Sequence, residues 1–402
     1  MTSNNPIPDK STFTRPRPRA KFITNISAPL SDNIIVEMND AMINWLVGQQ
    51  VLDAQHQYHR AIWYPTERRY DNRGTGCAVL ALWRRFAQTG DEKYLHQARL
   101  AKDYVLDVQE EDGGYAELTK DNVRMDEGST VNTGTIAMSL IRALESGFEC
   151  TERDLKALSR MADYLLTLEW IEGGFYHDEN HLYKKSQMDC QNTTALAAAT
   201  LFQVERLLTA HNFPVKSAWK EAATRAIERL LQGQDASGQW PYRLGMIDSF
   251  PCDMNHHGML MLMVGEIYRI ILDPRLLDAL VLGGQWLTED AFLQTQHGAK
   301  HNWAFQRSAC LYFTAGYFFT SSALAQLAAL DESRRDYWNH HARELLRYVR
   351  TDLWDNPQHE TEGPFRLTEA GLAPGYAWHG QAMGWCCYLM DHVLVDLGLG
   401  TA

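Results

Sequence analysis

Two kinds of helical pattern alternate from Ile34 almost to the end of the chain. One kind is amphipathic, with charges on a single face, as in Ala222-Ala223-Thr224-Arg225-Ala226-Ile227-Glu228-Arg229. Such a helix has one wet side. The other kind is apolar nearly all round, as in Thr194-Ala195-Leu196-Ala197-Ala198-Ala199-Thr200-Leu201-Phe202, and such helices are buried. The pattern predicts six outer helices at about 34–57, 91–109, 151–168, 215–232, 275–288 and 333–353. Each is followed by an inner helix, at about 72–88, 131–146, 191–208, 255–272, 303–330 and 378–397. No stretch has the alternation and turn chemistry of a sheet protein, although a small hairpin fits near 175–185.

Two short strings repeat on this frame. The inner helices begin in Tyr70-Asp71-Asn72-Arg73, Thr130-Val131-Asn132-Thr133, Asp189-Cys190-Gln191-Asn192 and Asp253-Met254-Asn255-His256-His257. Asn72, Asn132, Asn192 and Asn255 therefore recur about every 60 residues. Three outer helices end in Gly113-Gly114-Tyr115, Gly173-Gly174-Phe175 and Ser237-Gly238-Gln239-Trp240-Pro241-Tyr242. Glycine there supplies the left-handed residue that ends a helix, and the aromatic folds back on the bundle. Outer–inner hairpins repeated six times predict an all-α fold, a single (α/α)6 toroid over 31–402 behind an extended tail at 1–30. In a closed ring the inner-helix starts share one mouth.

These glycine–aromatic turns and Asx-rich starts resemble those of six-hairpin glycosidases, toroid polysaccharide lyases and isoprenoid-cyclase toroids, over roughly residues 34–397. The turn at 234–240 is similar to the repeat of squalene-cyclase-like toroids, yet their Asp-x-Asp-Asp acid is absent; Asp189-Cys190-Gln191-Asn192 has amides in its place. Lanthionine-cyclase toroids hold zinc with separated Trp-Cys and Cys-His-Gly strings; Trp378-His379-Gly380 and Trp385-Cys386-Cys387 do not match them.

Composition narrows the partners. A net charge of −12 offers no basic stripe for phosphates, so no nucleic acid is expected. The one basic cluster, Arg15, Arg17, Arg19 and Lys21, reads as a solvated arm. No apolar run spans a bilayer and the first residues lack a signal core. Seven scattered cysteines suit reduced thiols in the cytoplasm. Composition and pattern leave the oligomeric state open.

The mouth gathers the candidate chemistry. Three histidines near helix starts, His256 or His257, His301 and His379, are the side chains best poised for proton transfer, with Asp253 and Tyr376 as further candidates. Asp71, Arg73, Asn132, Asp189, Asn192, Asn255, Lys300 and Arg307 are candidate substrate-binding groups; Asn132, Asn192 and Asp189 equally suit helix capping. Trp240, Tyr242, Trp303 and Trp378, with Trp63 and Tyr64, are candidates for stacking on sugars or simply for packing.

The resemblance to toroid lyases implies abstraction of a proton beside a uronic-acid carboxylate. A cation or amide (Asn255, Arg73, Lys300, Arg307) would offset the carboxylate, a histidine would take the proton, and Tyr312 or Tyr376 would protonate the leaving oxygen. The Asn255-His256 adjacency is similar to the Asn/His pairs of those lyases. The expected substrate is an oligosaccharide or smaller saccharide that is cleaved or epimerised. A hydrolase using two of Asp71, Asp126, Asp189 and Asp253 is the alternative. Beyond it stand a terpene cyclase and a non-catalytic glycan- or protein-binding toroid. Asp253, His256, His257 and His301 form the one conceivable zinc set. Neighbouring histidines on a helix point about 100° apart, so no metal is expected. Phosphate loops and dinucleotide fingerprints are absent, so no cofactor is expected either.

Overall fold

The computed structural model describes residues 30–64, 69–118, 124–170, 173–177, 190–242, 254–290, 314–350 and 381–400. Among them are twelve α-helices: α1 (Asp32–Gln49), α2 (Asn72–Thr89), α3 (Glu92–Asp107), α4 (Thr130–Glu145), α5 (Glu152–Thr167), α6 (Gln191–Ala210), α7 (Ser217–Gly233), α8 (Met254–Ile271), α9 (Pro274–Gln285), α10 (Thr314–Leu330), α11 (Arg335–Tyr348) and α12 (Gln381–Asp396). The even-numbered helices are the inner ring. Each packs on the next, α2 on α4, then α6, α8, α10 and α12, and α12 returns to α2. The odd-numbered helices pack around them. The fold is an all-α (α/α)6 toroid.

Neighbouring inner helices run parallel. Gly74 meets Gly384 near the start of α2 and α12, and Arg84 meets Asp391 further along. Asn192 and then Gln203 meet Met259 and then Glu266 in the same order. All the inner-helix starts therefore lie at one mouth. The ring closes through a tight glycine contact: a Cβ on Gly384 would stand 2.5 Å from the Gly74 carbonyl oxygen.

The turns that end the outer helices are a repeated lock. Gly113, Gly173 and Gly238 have φ of 100°, 82° and 89°, a conformation other residues avoid. At each, a Cβ would collide with the backbone of the next outer helix, at Arg160, Arg225 and Leu282. Gln50, Gln109 and Gln234, each just past the end of an outer helix, bridge to carbonyls of the next outer helix, at Gln97, Ala157 and Ala279. The aromatic after the turn plunges inward. Tyr115 Oη donates to the Val105 carbonyl and Trp240 Nε1 to the Leu230 carbonyl, each at 2.9 Å.

Several expectations shift. The first outer helix ends at Gln49, well before 57; the chain there turns into the 50–62 loop, with Arg60 at φ 80°. Two antiparallel ribbons, β1 (Trp63–Tyr64) with β2 (Arg69–Tyr70) and β3 (Ala116–Leu118) with β4 (Arg124–Gly128), are small hairpins in linkers other than the one at 175–185. The 175–185 hairpin and the start of the inner helix at 303 fall mostly outside the described residues, as does the 1–29 part of the tail. The four asparagines do not share one ring position: Asn72 is the first residue of its helix, Asn192 and Asn255 the second, Asn132 the third. No helix among the described residues is long and apolar enough to cross a membrane.

Candidate active site

The barrel axis carries polar residues at two levels. The lower level is a charge network from all six inner helices. Arg84, Arg142, Gln203, Glu266 and Gln326 are each the thirteenth residue of their helix. Asp391 of α12 binds Arg142 at 2.7 Å and Arg84 at 2.9 Å. Glu266 accepts from Gln326 at 2.7 Å, Arg269 at 3.0 Å and Gln203 at 3.2 Å. Arg269 also pairs with Asp396. Inward direction at this level follows from five helices meeting at a shared register.

Eleven residues earlier is about three turns up the same helix face. There stand Arg73, Val131 and Asn192, so this stripe continues along the axis to the mouth. The Arg73 guanidinium lies 3.9 Å from the centre of the Trp385 ring on α12. Asn192 touches the Met259 sulfur on α8 at 3.6 Å through Nδ2, while its Oδ1 has no partner. Asn192 is 4% exposed.

The fourth residue of an inner helix faces the other way. Thr75, Thr133 and Thr194 accept backbone N–H bonds from Ile62, Tyr115 and Phe175 in the linkers behind them. His257 is the fourth residue of α8, and its Nδ1 accepts from the Trp240 N–H at 3.5 Å. Its Nε2 then carries the proton and faces the Gly283 carbonyl at 3.3 Å. The ring is fully buried between Trp240 and Trp286. His257 therefore sits in inter-hairpin packing and stands apart from the mouth. Trp240, 1% exposed with its indole N–H bonded, is likewise core and presents no sugar platform.

His256, one residue before, is half-buried, and its ring centre is 4.1 Å from that of Tyr242. The Tyr242 carbonyl accepts the Gln191 N–H at 3.0 Å. Gln191, Asn192, Tyr242 and His256 thus gather between the starts of α6 and α8.

A second cluster flanks the start of α2. Asp71 is the cap of that helix and accepts the Gly74 N–H at 3.0 Å. Before it, Tyr70 stacks on Tyr58 at 4.3 Å and lies 4.7 Å from Trp63. His56 Nδ1 accepts the Tyr58 N–H at 3.1 Å, so in its neutral form Nε2 bears the proton and points at Tyr70 Oη, 3.1 Å away. Burial, with Tyr58 adding, raises the Tyr70 hydroxyl above its ordinary pKa, so it stays protonated near neutrality. His56 escaped the sequence reading because the periodicity assigned it to the first outer helix, and Tyr58 lies one residue past the end given to that helix.

The caps are also redistributed. Asn132 and Asn192 lie inside the first turn; Ser129, not Asn132, caps α4 by accepting the Asn132 N–H at 3.0 Å. Asn132 is buried at the mouth end of α4. Asp189, Asp253, Lys300, His301, Trp303, Arg307, Tyr376, Trp378 and His379 lie outside the described residues, as does the side chain of Asn255. Among the described residues no three histidine, cysteine or acidic side chains gather as a metal site.

No protein-family model and no curated protein matches this chain. Solved structures do share its fold. A D-mannose isomerase is 12% identical with a TM-score of 0.64, covering 91% of this chain and 100% of that one. An unsaturated glucuronyl hydrolase from a Bacillus species is 13% identical with a TM-score of 0.64, covering 92% and 98%. The cellobiose 2-epimerase of Spirochaeta thermophila is 12% identical with a TM-score of 0.61, covering 91% and 98%. At such identities the likeness is one of fold.

Proposed function

We propose that this protein is a carbohydrate-active enzyme that moves a proton at a sugar carbon in the mouth of the ring, epimerising or cleaving a saccharide. The observation that carries the reading is the convergence of inner-helix starts on one polar mouth with His256 beside Tyr242, Gln191 and Asn192. The fold is shared with a sugar isomerase, a sugar epimerase and a glucuronyl hydrolase, which supports a saccharide substrate. Fold alone leaves the chemistry open.

In this reading His256 is the proton-transfer group among the described histidines. Arg73 and Asn192, on the axis-facing stripe, hold the sugar, and Tyr242 offers it a ring face. Asp253, Asn255, Lys300, His301, Trp303, Arg307, Tyr376, Trp378 and His379 are further candidates for this site on the sequence alone. His257 and Trp240 keep α8 seated against the hairpin behind it. The polar mouth disfavours a terpene cyclase, whose pocket is apolar apart from its acid. Among the described residues Cys77, Cys150, Cys386 and Cys387 are free thiols, which suits the reducing cytoplasm where we place the protein.

The test is a panel of reducing sugars, disaccharides and uronic-acid saccharides incubated with enzyme in D2O. Proton abstraction predicts deuterium at a sugar carbon, read by NMR, and a cleaved uronide also absorbs in the ultraviolet. His256→Ala should lower the exchange rate about 10²–10⁴-fold with the fold intact by circular dichroism. Sugar consumed without carbon exchange, with oxygen from labelled water at the anomeric carbon, would overturn proton transfer in favour of hydrolysis on paired aspartates. Unaltered turnover in His256→Ala would remove that residue from the chemistry.

A further inference from the structure

Helix α12 closes the ring. It packs between α10 and α2 and also touches α1. Ser322 Oγ of α10 donates to the Leu389 carbonyl at 2.8 Å, and near the mouth Gly384 fits against the Gly74 backbone. Tyr388, His392 and Asp396 follow one another at single helical turns. They reach two places round the ring: Asp396 pairs with Arg269 of α8, and His392 Nδ1 lies 3.8 Å from Glu266 of the same helix. Asp391 beside them reaches Arg142 of α4 at 2.7 Å. The His392 imidazole therefore stands where contacts across the ring meet.

The groups around it differ in how they answer acid. α2 contributes Arg84, α4 Arg142, and α8 Arg269 with Glu266. α6 and α10 contribute Gln203 and Gln326, amides that do not titrate. α1 brings Asn39 and Ile43 to the Asp391 side, while its Asp40 is held by Arg85 at 2.7 Å. On α12 itself stand Asp391, Asp396 and Tyr388, whose ring meets the imidazole edge-on at 5.0 Å. Burial pushes the thiols of Cys77, Cys386 and Cys387 up, so they stay neutral. His392 is 0% exposed and neither ring nitrogen has a hydrogen-bond partner. Glu266, the carboxylate nearest it from another helix, already accepts from Gln326, Arg269 and Gln203. A proton added here is cut off from water and faces three fixed cations. Asp396 works in the opposite sense: burial raises its carboxyl, so a proton there relieves the closed ring, and Arg269 restrains that rise.

We propose that His392 is an acid trigger for the ring: a proton on it drives α12 away from α2, α4 and α8 and opens the closing seam, while the other five inner helices stay packed. The contacts of Glu266 with Gln203 and Gln326 still join α6, α8 and α10, through amides that acid does not charge. Opening carries Trp385 off Arg73 and Gly384 off Gly74, so the mouth loses its α12 side. The direction follows from linkage. Burial, then the three arginines, keep His392 neutral in the closed ring, and it regains the ordinary value of 6.5 once exposed. Closure is therefore complete above pH 6.5 and weakens as the pH falls below it. The device holds whatever the mouth binds.

Amide hydrogen exchange on the whole protein, read by mass spectrometry and divided by the intrinsic rate at each pH, tests this. Between about pH 7 and about pH 5, protection of α12 should fall at least about tenfold, while that of α4 and α6 changes by less than about twofold. His392→Gln keeps a polar side chain that takes no proton, and should leave α12 as well protected at the lower pH as at the higher. Should that variant fail to fold, the order in which the wild-type helices open still decides. α4, α6 and α12 losing protection together, α12 keeping its protection, or His392→Gln opening at the wild-type pH would each overturn the proposal.

Discussion

The two ends of the inner ring treat polar side chains in opposite ways. At the lower level, Glu266 accepts three hydrogen bonds and Asp391 holds two arginines. The same ring opens at its mouth onto the Gln191 side-chain amide, which has no partner, and onto Asn192, whose Oδ1 has none. The lower network pairs its carboxylates with arginines and amides from neighbouring helices and so helps to hold the ring closed, although both ring nitrogens of His392 in its midst lack a hydrogen-bond partner. At the mouth end the Gln191 amide and Asn192 Oδ1 go unanswered, while Asp71, Ser129 and Tyr70 have partners. The difference teaches that burial of polar residues by itself does not separate architecture from function; whether their partners are internal does.

The sharpest way to break the comparison is to unbalance the lower network. Glu266→Ala leaves Arg269, Gln203 and Gln326 without their shared acceptor and should cost about 3–5 kcal/mol, read by urea unfolding. A loss below about 1 kcal/mol would mean that the network contributes little to closure.

A milder perturbation is acid. His392 is fully buried among Arg84, Arg142, Arg269, Tyr388 and Glu266, and burial, then those arginines, hold its pKa well below the ordinary value of 6.5. Burial, with His340 adding, pushes His341 on α11 down to about 4. Both imidazoles are neutral in the folded protein where the unfolded chain would bind protons. Stability should be complete above pH 6.5 and fall as the pH drops from there toward 4. His341 alone accounts for roughly 3 kcal/mol of that loss. Unfolding followed across this range in wild type and in His341→Gln checks the sign: a variant with the same slope would assign it elsewhere.

The smallest expected effect has the opposite sign and sharpens the contrast. Gln191→Leu removes an unanswered buried amide, and exchanging such a group for an apolar one of similar shape should raise stability by about 1 kcal/mol. Saccharide turnover should fall in the same variant, the trade expected where an unsatisfied group is kept for function. A destabilised Gln191→Leu would show that the amide already serves the fold.

The repeat was legible in the sequence. Alternating amphipathic and all-apolar helices need a ring in which one set is sheathed by the other, and Gly113, Gly173 and Gly238 announce the turns through their left-handed backbone. Helix ends were less legible, because Val51-Leu52 continues the apolar spacing of α1 after the helix has stopped at Gln49. That misreading hid His56 and the turn that brings Tyr58 to it. The neighbouring histidines show the limit most plainly. His256 and His257 are equivalent in the sequence, and both look suited to proton transfer. Only the ring decides between them, because one step along a helix turns a side chain by about 100°. That step sends His257 into the place where threonines receive the linker N–H in other hairpins and leaves His256 at the mouth. The sequence thus determined a closed circle of hairpins and where its polar starts would meet. The tertiary structure decided which of those groups find partners within the protein, since a partner lies on another helix far away along the chain.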